Sequence, residues 1–205
     1  ANTPLVFNYF GAGIVPDDDN PDFDVVMNNY KFEPTLTFST KTRASNLVFG
    51  LNYNHVNFET KTIPTVEDWE VKTQNFLGGK VEYQFLNKDH KLNPHSGMEF
   101  RIGGEYTNSL DNRNVDYFRL NSSLSLFIPL HFVKKRTTFA LRTGMAANFG
   151  DYAFFQSNFL SGYENFRGVR RNRYAGETIN YNNAELRVNL FDVHNYLLPF
   201  KVGIL

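Results

Sequence analysis

A chain of 205 residues is one large domain or two small ones, and 21 Lys+Arg balance 21 Asp+Glu, so net charge points to no partner. The absence of cysteine excludes a disulfide framework, thiolate metal sites and cysteine nucleophiles. No run reaches the roughly 18 apolar residues of a membrane-spanning helix. No secretory leader stands at Ala1, so the chain reads as mature, processed or a fragment.

Period-two alternation runs almost end to end and predicts strands rather than helices. Leu5 to Gly13 reads as a strand with a glycine-rich end. Tyr30, Phe32, Leu36 and Phe38 then oppose Lys31, Glu33, Thr35 and Thr37, with Pro34 a local interruption. Leu47, Phe49, Leu51 and Tyr53 oppose Val48, Gly50, Asn52 and Asn54. Leu77, Val81, Tyr83 and Phe85 oppose Lys80, Glu82 and Gln84. Met98, Phe100, Ile102 and Tyr106 oppose Glu99, Arg101 and Glu105. Phe118, Leu120, Leu124, Leu126 and Ile128 oppose Arg119, Asn121, Ser123 and Ser125. Phe139, Leu141, Met145 and Phe149 oppose Arg142, Gly144 and Asn148, and Ala184, Leu186 and Val188 oppose Glu185, Arg187 and Asn189.

These runs are longer than the five or six residues usual in globular strands. About ten is what a tilted strand needs to cross a bilayer. A soluble β-sandwich or lipocalin-like barrel also predicts alternation. The connections favour the membrane barrel, because long ("VPDDDNPDFDVV", "TKTIPTVEDWE", "TNSLDNRNVD") and short ("KTRAS", "HFVKKR") tend to alternate. The medium "NKDHKLNPHS" breaks that rule slightly. The longest connection, "LSGYENFRGVRRNRYAGETINYNNAELR", is rich in Arg, Gly and Tyr. By parity it leaves the same end as the other long loops.

No motif carries catalysis. "PDDDNPDFD" lacks the glycine and terminal glutamate of a calcium loop and reads as an acidic, solvated loop. The five histidines form no zinc spacing. Glu82, Glu99 and Glu105 read as wall charges balanced by Arg101 and Lys80 rather than a catalytic pair. One local cluster, Arg167, Arg170, Arg171 and Arg173, does not make a nucleic-acid surface, and the last three read as solvated.

The stretch Phe166-Arg167-Gly168-Val169, set in "GYENFRGVRRNRYAG" and followed by "YNNAELRVNLFDVHNYLLPFKVGIL", resembles the signature of the BamA/TamA superfamily of outer-membrane proteins. That signature is Val/Leu-Arg-Gly-Phe/Tyr on an extracellular loop folded back into the barrel lumen. Arg167 and Gly168 match, while Phe166 and Val169 hold the flanking apolar positions in a different order. The wider string is similar to members from Bacteroidetes-type Gram-negative bacteria, some fused to a metallophosphatase domain, of which no motif exists here. The likeness is specific over about Gly162 to Leu205 and architectural elsewhere.

The resemblance implies an all-β fold, an antiparallel transmembrane β-barrel. The chain would be part of a single outer-membrane barrel domain, roughly eight or nine strands of about sixteen, with a lumen loop at about 150–177. The family's periplasmic POTRA domains and an acidic Asp-x-Gly position expected past Leu205 lie outside it. Arg167 is expected to pair with Glu185 on the following strand, which parity also turns inward; Gly168 would let the loop turn sharply or approach the wall closely. The implied function is outer-membrane protein assembly and insertion, or polypeptide translocation, without enzyme activity, metal or cofactor. The alternative is a passive pore or a membrane anchor for a fused enzyme domain. Implied partners are unfolded outer-membrane protein clients, accessory periplasmic or lipoprotein subunits, the lipid bilayer and lipopolysaccharide, with no nucleic acid. The implied location is the bacterial outer membrane, crossed many times.

Overall fold

The computed structural model describes residues 5–9, 23–40, 44–59, 67, 69–111, 115–130, 137–160, 165, 168–169, 171–193 and 200–204. Every alternating run is a strand over its described residues, the glycine-rich end at 10–13 lying outside them: β1 (Leu5–Tyr9), β2 (Phe23–Phe32), β3 (Thr35–Ser39), β4 (Ser45–Phe58), β5 (Gln74–Lys88), β6 (Gly97–Ser109), β7 (Asp116–Leu130) and β8 (Thr137–Gly150). Past β8 come a single 3-10 turn (Phe154–Gln156), the short strands β9 (Asn158–Leu160) and β10 (Tyr174–Gly176), then β11 (Thr178–Val193) and β12 (Phe200–Ile204). The central strands run 13 to 16 residues.

Ten of these strands form one antiparallel sheet in the order β1-β2-β4-β5-β6-β7-β8-β11-β12, with β3 also on β4. β2 and β3 are one strand interrupted at Pro34, because Phe32 pairs Tyr53 and Thr35 pairs Gly50 in the same register. Proline has no N–H to give, yet its carbonyl still accepts the Leu51 N–H at 3.1 Å. No described residue joins β1 to β12. Antiparallel order sends the connections after β1, β4, β6 and β8 to one end, here called the loop end, and the rest to the turn end.

The two faces differ in chemistry. One carries Phe32 and Leu36, each 68 % exposed, Leu51, 64 % exposed, and Phe38, Leu77, Val81, Ile102, Phe149 and Leu186, also exposed. The opposite face carries the charges and buries Asn52, Thr107, Thr138 and Asn148. A soluble sandwich would do the reverse, packing aromatics together and wetting the polar side. A barrel with its apolar face outward and a polar interior gives this pattern directly.

The apolar core is small and sits on the inner face at the loop end. Val25, Met27, Val56, Phe58 and Phe76 come from strand ends, and Val71, Val115 and Phe154 from connections. Trp69, Phe155 and Phe159 pack around them. Phe155 lies 5.4 Å from Phe58 and 6.0 Å from Phe76, centroid to centroid, spacings of mutual ring attraction. At the turn end, the segment between β5 and β6 is held by Asp89, whose Oδ1 accepts the N–H of His95 at 2.9 Å and of Ser96 at 3.1 Å. These bonds, Ser96 first, hold its carboxyl below the usual range. The medium length of this connection has a structural use: His95 reaches Thr138 on β8, 3.1 Å between Nδ1 and Oγ1.

Candidate functional site

The inner wall between the two ends is lined with paired charges. Arg101 meets Glu99 at 2.7 Å and Glu82 at 3.8 Å, and Lys88 meets Glu99 at 2.6 Å. Glu105 accepts a hydrogen bond from Asn52. Lys80, expected to balance the wall carboxylates of β5 and β6, instead reaches across β4 to Glu33, which Lys31 also meets at 2.6 Å. The chain continues in register past Pro34 beside β4, and Gly50, which has no side chain, lets Lys80 lie across that strand to Glu33.

The connection from β8 to β11 is not a plain loop. Its base is the antiparallel pair β9–β10, Leu160 opposite Tyr174. Both ends are sewn to the wall: the Glu177 carbonyl accepts the Asn148 N–H at 2.9 Å and the Asn158 amide at 2.6 Å. The 3-10 turn is gripped from below. Its Gln156 carbonyl accepts from Arg119 and, at 3.0 Å, from Asn148 Nδ2, while Arg119 Nε also donates to Asn148 Oδ1 at 2.8 Å. From above, Glu70 Oε2 accepts the Phe154 N–H at 2.6 Å. Burial pushes the Glu70 carboxyl above its ordinary value, against that hydrogen bond.

Beyond β9 the loop returns to the inner wall at β11. Asn183 Nδ2 donates to the Asn165 carbonyl at 2.8 Å, one β-pleat from Glu185. Beneath lies a cavity of about 410 Å³ bordered by Glu99, Arg101, Arg142, Asn165, Glu185 and Arg187. Glu185 is half-buried and faces inward, as parity predicts. Its oxygen Oε2 accepts from Arg187 at 3.0 Å (Nε) and 2.8 Å (Nη2), and the Arg187 guanidinium lies 5.6 Å from the Phe127 ring centroid. Phe166, Arg167 and Arg170 lie outside the described residues, as does the acidic stretch at 16–22.

Gly168 has φ +87, and among the described residues no atom lies within 4 Å of where a Cβ would stand. Its absent side chain therefore serves a left-handed turn, not a close approach to the wall. Val169 is half-buried and Arg171 exposed. Arg173 corrects the solvated reading. It is buried, with its guanidinium 5.7 Å from the Tyr174 ring centroid. Sequence reasoning also missed Arg119, Asn148 and Glu70. Only the inward parity of the first two, opposite one another in the β7–β8 register, could have signalled them.

Among solved structures the chain is similar to BamA from Haemophilus ducreyi lacking POTRA domains 1–3, with a TM-score of 0.65 at 15% identity, covering 85% of this chain. That likeness concerns the fold, and the chain spans 40% of the length of that protein. No curated protein matches. A family model described as the Omp85 superfamily domain matches residues 5–195, nearly the whole chain, and with the barrel-like sheet and polar inner wall it shows that the chain belongs to the Omp85 superfamily.

Proposed function

We propose that this chain is part of a bacterial outer-membrane barrel that inserts or translocates polypeptides. Its clients are unfolded outer-membrane proteins, met with the help of accessory periplasmic or lipoprotein subunits. The apolar face contacts lipid and, at the loop end, lipopolysaccharide. The connection at about 150–177 is the inward element that sets the state of the lumen, and Arg167 clips it to the wall at Glu185 through a planar guanidinium–carboxylate pair. No catalytic chemistry is assigned.

The observation that carries this reading is the Asn183–Asn165 hydrogen bond, which supports a loop path along the inner wall two residues before Arg167. The cavity beside Glu185 supports it further, since it leaves room for an incoming side chain. Arg187 already neutralises Glu185, so the proposed clip is a three-membered cluster, Arg167–Glu185–Arg187.

The test is charge reversal in the full-length protein. Arg167→Glu is expected to lower client assembly in cells depleted of the native protein, and adding Glu185→Arg to restore part of it. Full assembly by the single variant would overturn the clip. Normal client assembly in cells without the protein would favour a passive pore or membrane anchor instead.

A further inference from the structure

The outward face is not uniform. On β8, Phe139 and Phe149 bracket a span of about ten residues, the length a tilted strand needs to cross hydrocarbon. Midway between them stand Thr143 and Met145, paired with Asn182 and Asn180 on β11. Thr143, Asn180 and Asn182 are all exposed. On β4, β5 and β6 the corresponding face shows Phe49, Leu51, Leu77, Val81 and Ile102. Polar side chains thus occupy the middle of the apolar belt on one side of the sheet.

Their hydrogen bonding is half complete. Asn182 Nδ2 donates to Asn180 Oδ1 at 3.1 Å. The Asn180 side-chain NH2 and the Asn182 side-chain carbonyl find no partner among the described residues. Acyl chains offer neither donor nor acceptor, so both groups are costly where lipid covers them. Beside them is a hollow of about 280 Å³ lined by Leu124, Leu126, Leu141, Thr143, Asn182 and Ala184. Small side chains let another backbone come close, and the leucines supply apolar knobs at its edge.

We propose that this patch docks a second copy of the chain within the membrane. The inference rests on the membrane reading above. Asn180 offers its NH2 group and Asn182 its side-chain carbonyl, donor beside acceptor, so the pair is its own complement. A two-fold axis through the patch sets an N–H of each Asn180 on the partner's Asn182 side-chain carbonyl, two inter-chain hydrogen bonds in one isologous contact. The leucines of one protomer then fill the hollow of the other. A lipid headgroup does not meet this need, because it sits at the ends of the belt and the amides sit in the middle.

The absence of native cysteine in this chain makes the test direct. Thr143→Cys, on the exposed rim of the hollow beside Asn182, and Leu51→Cys are placed separately in the full-length protein, otherwise free of cysteine, and reconstituted in bilayers. Heat-shifted migration on gels verifies that each variant is folded. Oxidation is expected to link Thr143→Cys into a species of twice the mass and to leave Leu51→Cys single. Adding Asn180→Leu should lower the linked fraction about tenfold, the effect of losing inter-chain hydrogen bonds in hydrocarbon; an unchanged fraction overturns the amide pairing. A hydrophilic maleimide separates the two readings. Labelling of Leu51→Cys in intact bilayers means that the face is not in lipid, and both readings fall. If Leu51→Cys is protected while Thr143→Cys stays monomeric or links to a different protein, the membrane reading stands and self-docking is overturned.

Discussion

Tyr181 on β11 and Gly144 on β8 are direct cross-strand partners, and the phenol occupies the space of the side chain that Gly144 lacks. A Cβ built on Gly144 would overlap Oη, Cζ and Cε1 of the ring. The Arg142 guanidinium lies 5.5 Å from the same ring centroid. A glycine is therefore required here by contact, and the aromatic ring replaces the packing that glycine gives up.

Gly144→Ala is expected to destabilise the barrel by about 1–3 kcal/mol, the usual range for overpacking. Tyr181→Phe cannot relieve it, because ring carbons as well as the hydroxyl would be struck. Tyr181→Ala should restore part of the loss by opening the space. Thermal unfolding followed by the heat shift on gels reads all three. A neutral Gly144→Ala would show that the ring moves freely.

The seam between loop and wall gives a second expectation. Arg119→Ala leaves the Gln156 carbonyl with Asn148 alone. Hydrogen bonds from a charged group contribute about 1.5–3 kcal/mol, and Arg119 also stacks 5.3 Å from the Tyr117 ring centroid. Limited proteolysis within 151–177 should accelerate, with the barrel strands staying protected. Asn148→Ala should do the same and add little to the first change, since the two donors share one acceptor. Unchanged proteolysis in both would mean that β9–β10 alone holds the loop.

The strands were legible in the residues because alternation survives wherever one face meets lipid and the other a polar interior. The inward position of Glu185 and the placing of the arginine-rich loop with the other long loops follow from that parity. Three features were not legible. Lys80 pairs with Glu33 because of inter-strand register, which spacing along one strand does not contain. The β9–β10 pair is only three residues per strand, too short for a period to register. The apolar cluster draws Trp69, Val71 and Phe154 from connections, where side-chain direction is set by turns and no alternation applies.

The turn end offers a third test. Asp89→Ala removes the acceptor of the His95 and Ser96 N–H groups and leaves both to water. The lowered Asp89 pKa means that its bonds stabilise the turn above the ordinary carboxylate value of 3.8 and are lost as pH falls through the lower folded value. Faster amide exchange at 89–96 and release of His95 from Thr138 are expected, with little change at the loop end. Asp89→Asn, which keeps a side-chain oxygen acceptor, should restore most of the protection and remove its acid sensitivity. Equal exchange in all three proteins would place the order of the turn in its backbone alone.

Glu70 ties the connection between β4 and β5 to the 3-10 turn after β8, and it does so from a buried position. Burial raises its pKa above the ordinary 4.5, and the neighbouring Glu67 carboxylate acts in the same direction. The folded state therefore holds the proton more tightly than the undocked state. Docking is strongest below the ordinary value, where the carboxyl is neutral in both states, and weakens as pH rises through the raised folded value. Hydrogen exchange at the Phe154 amide should thus be more protected near the acid limit than the intrinsic pH dependence of exchange predicts. Glu70→Gln keeps a carbonyl oxygen to accept that N–H and carries no charge at any pH. It is expected to hold the loop at neutral pH as tightly as acid holds the native protein, and to flatten the pH profile. A Glu70→Gln profile that still falls with rising pH would move the titrating group elsewhere in the loop-end cluster, with Glu67→Gln the variant that identifies it.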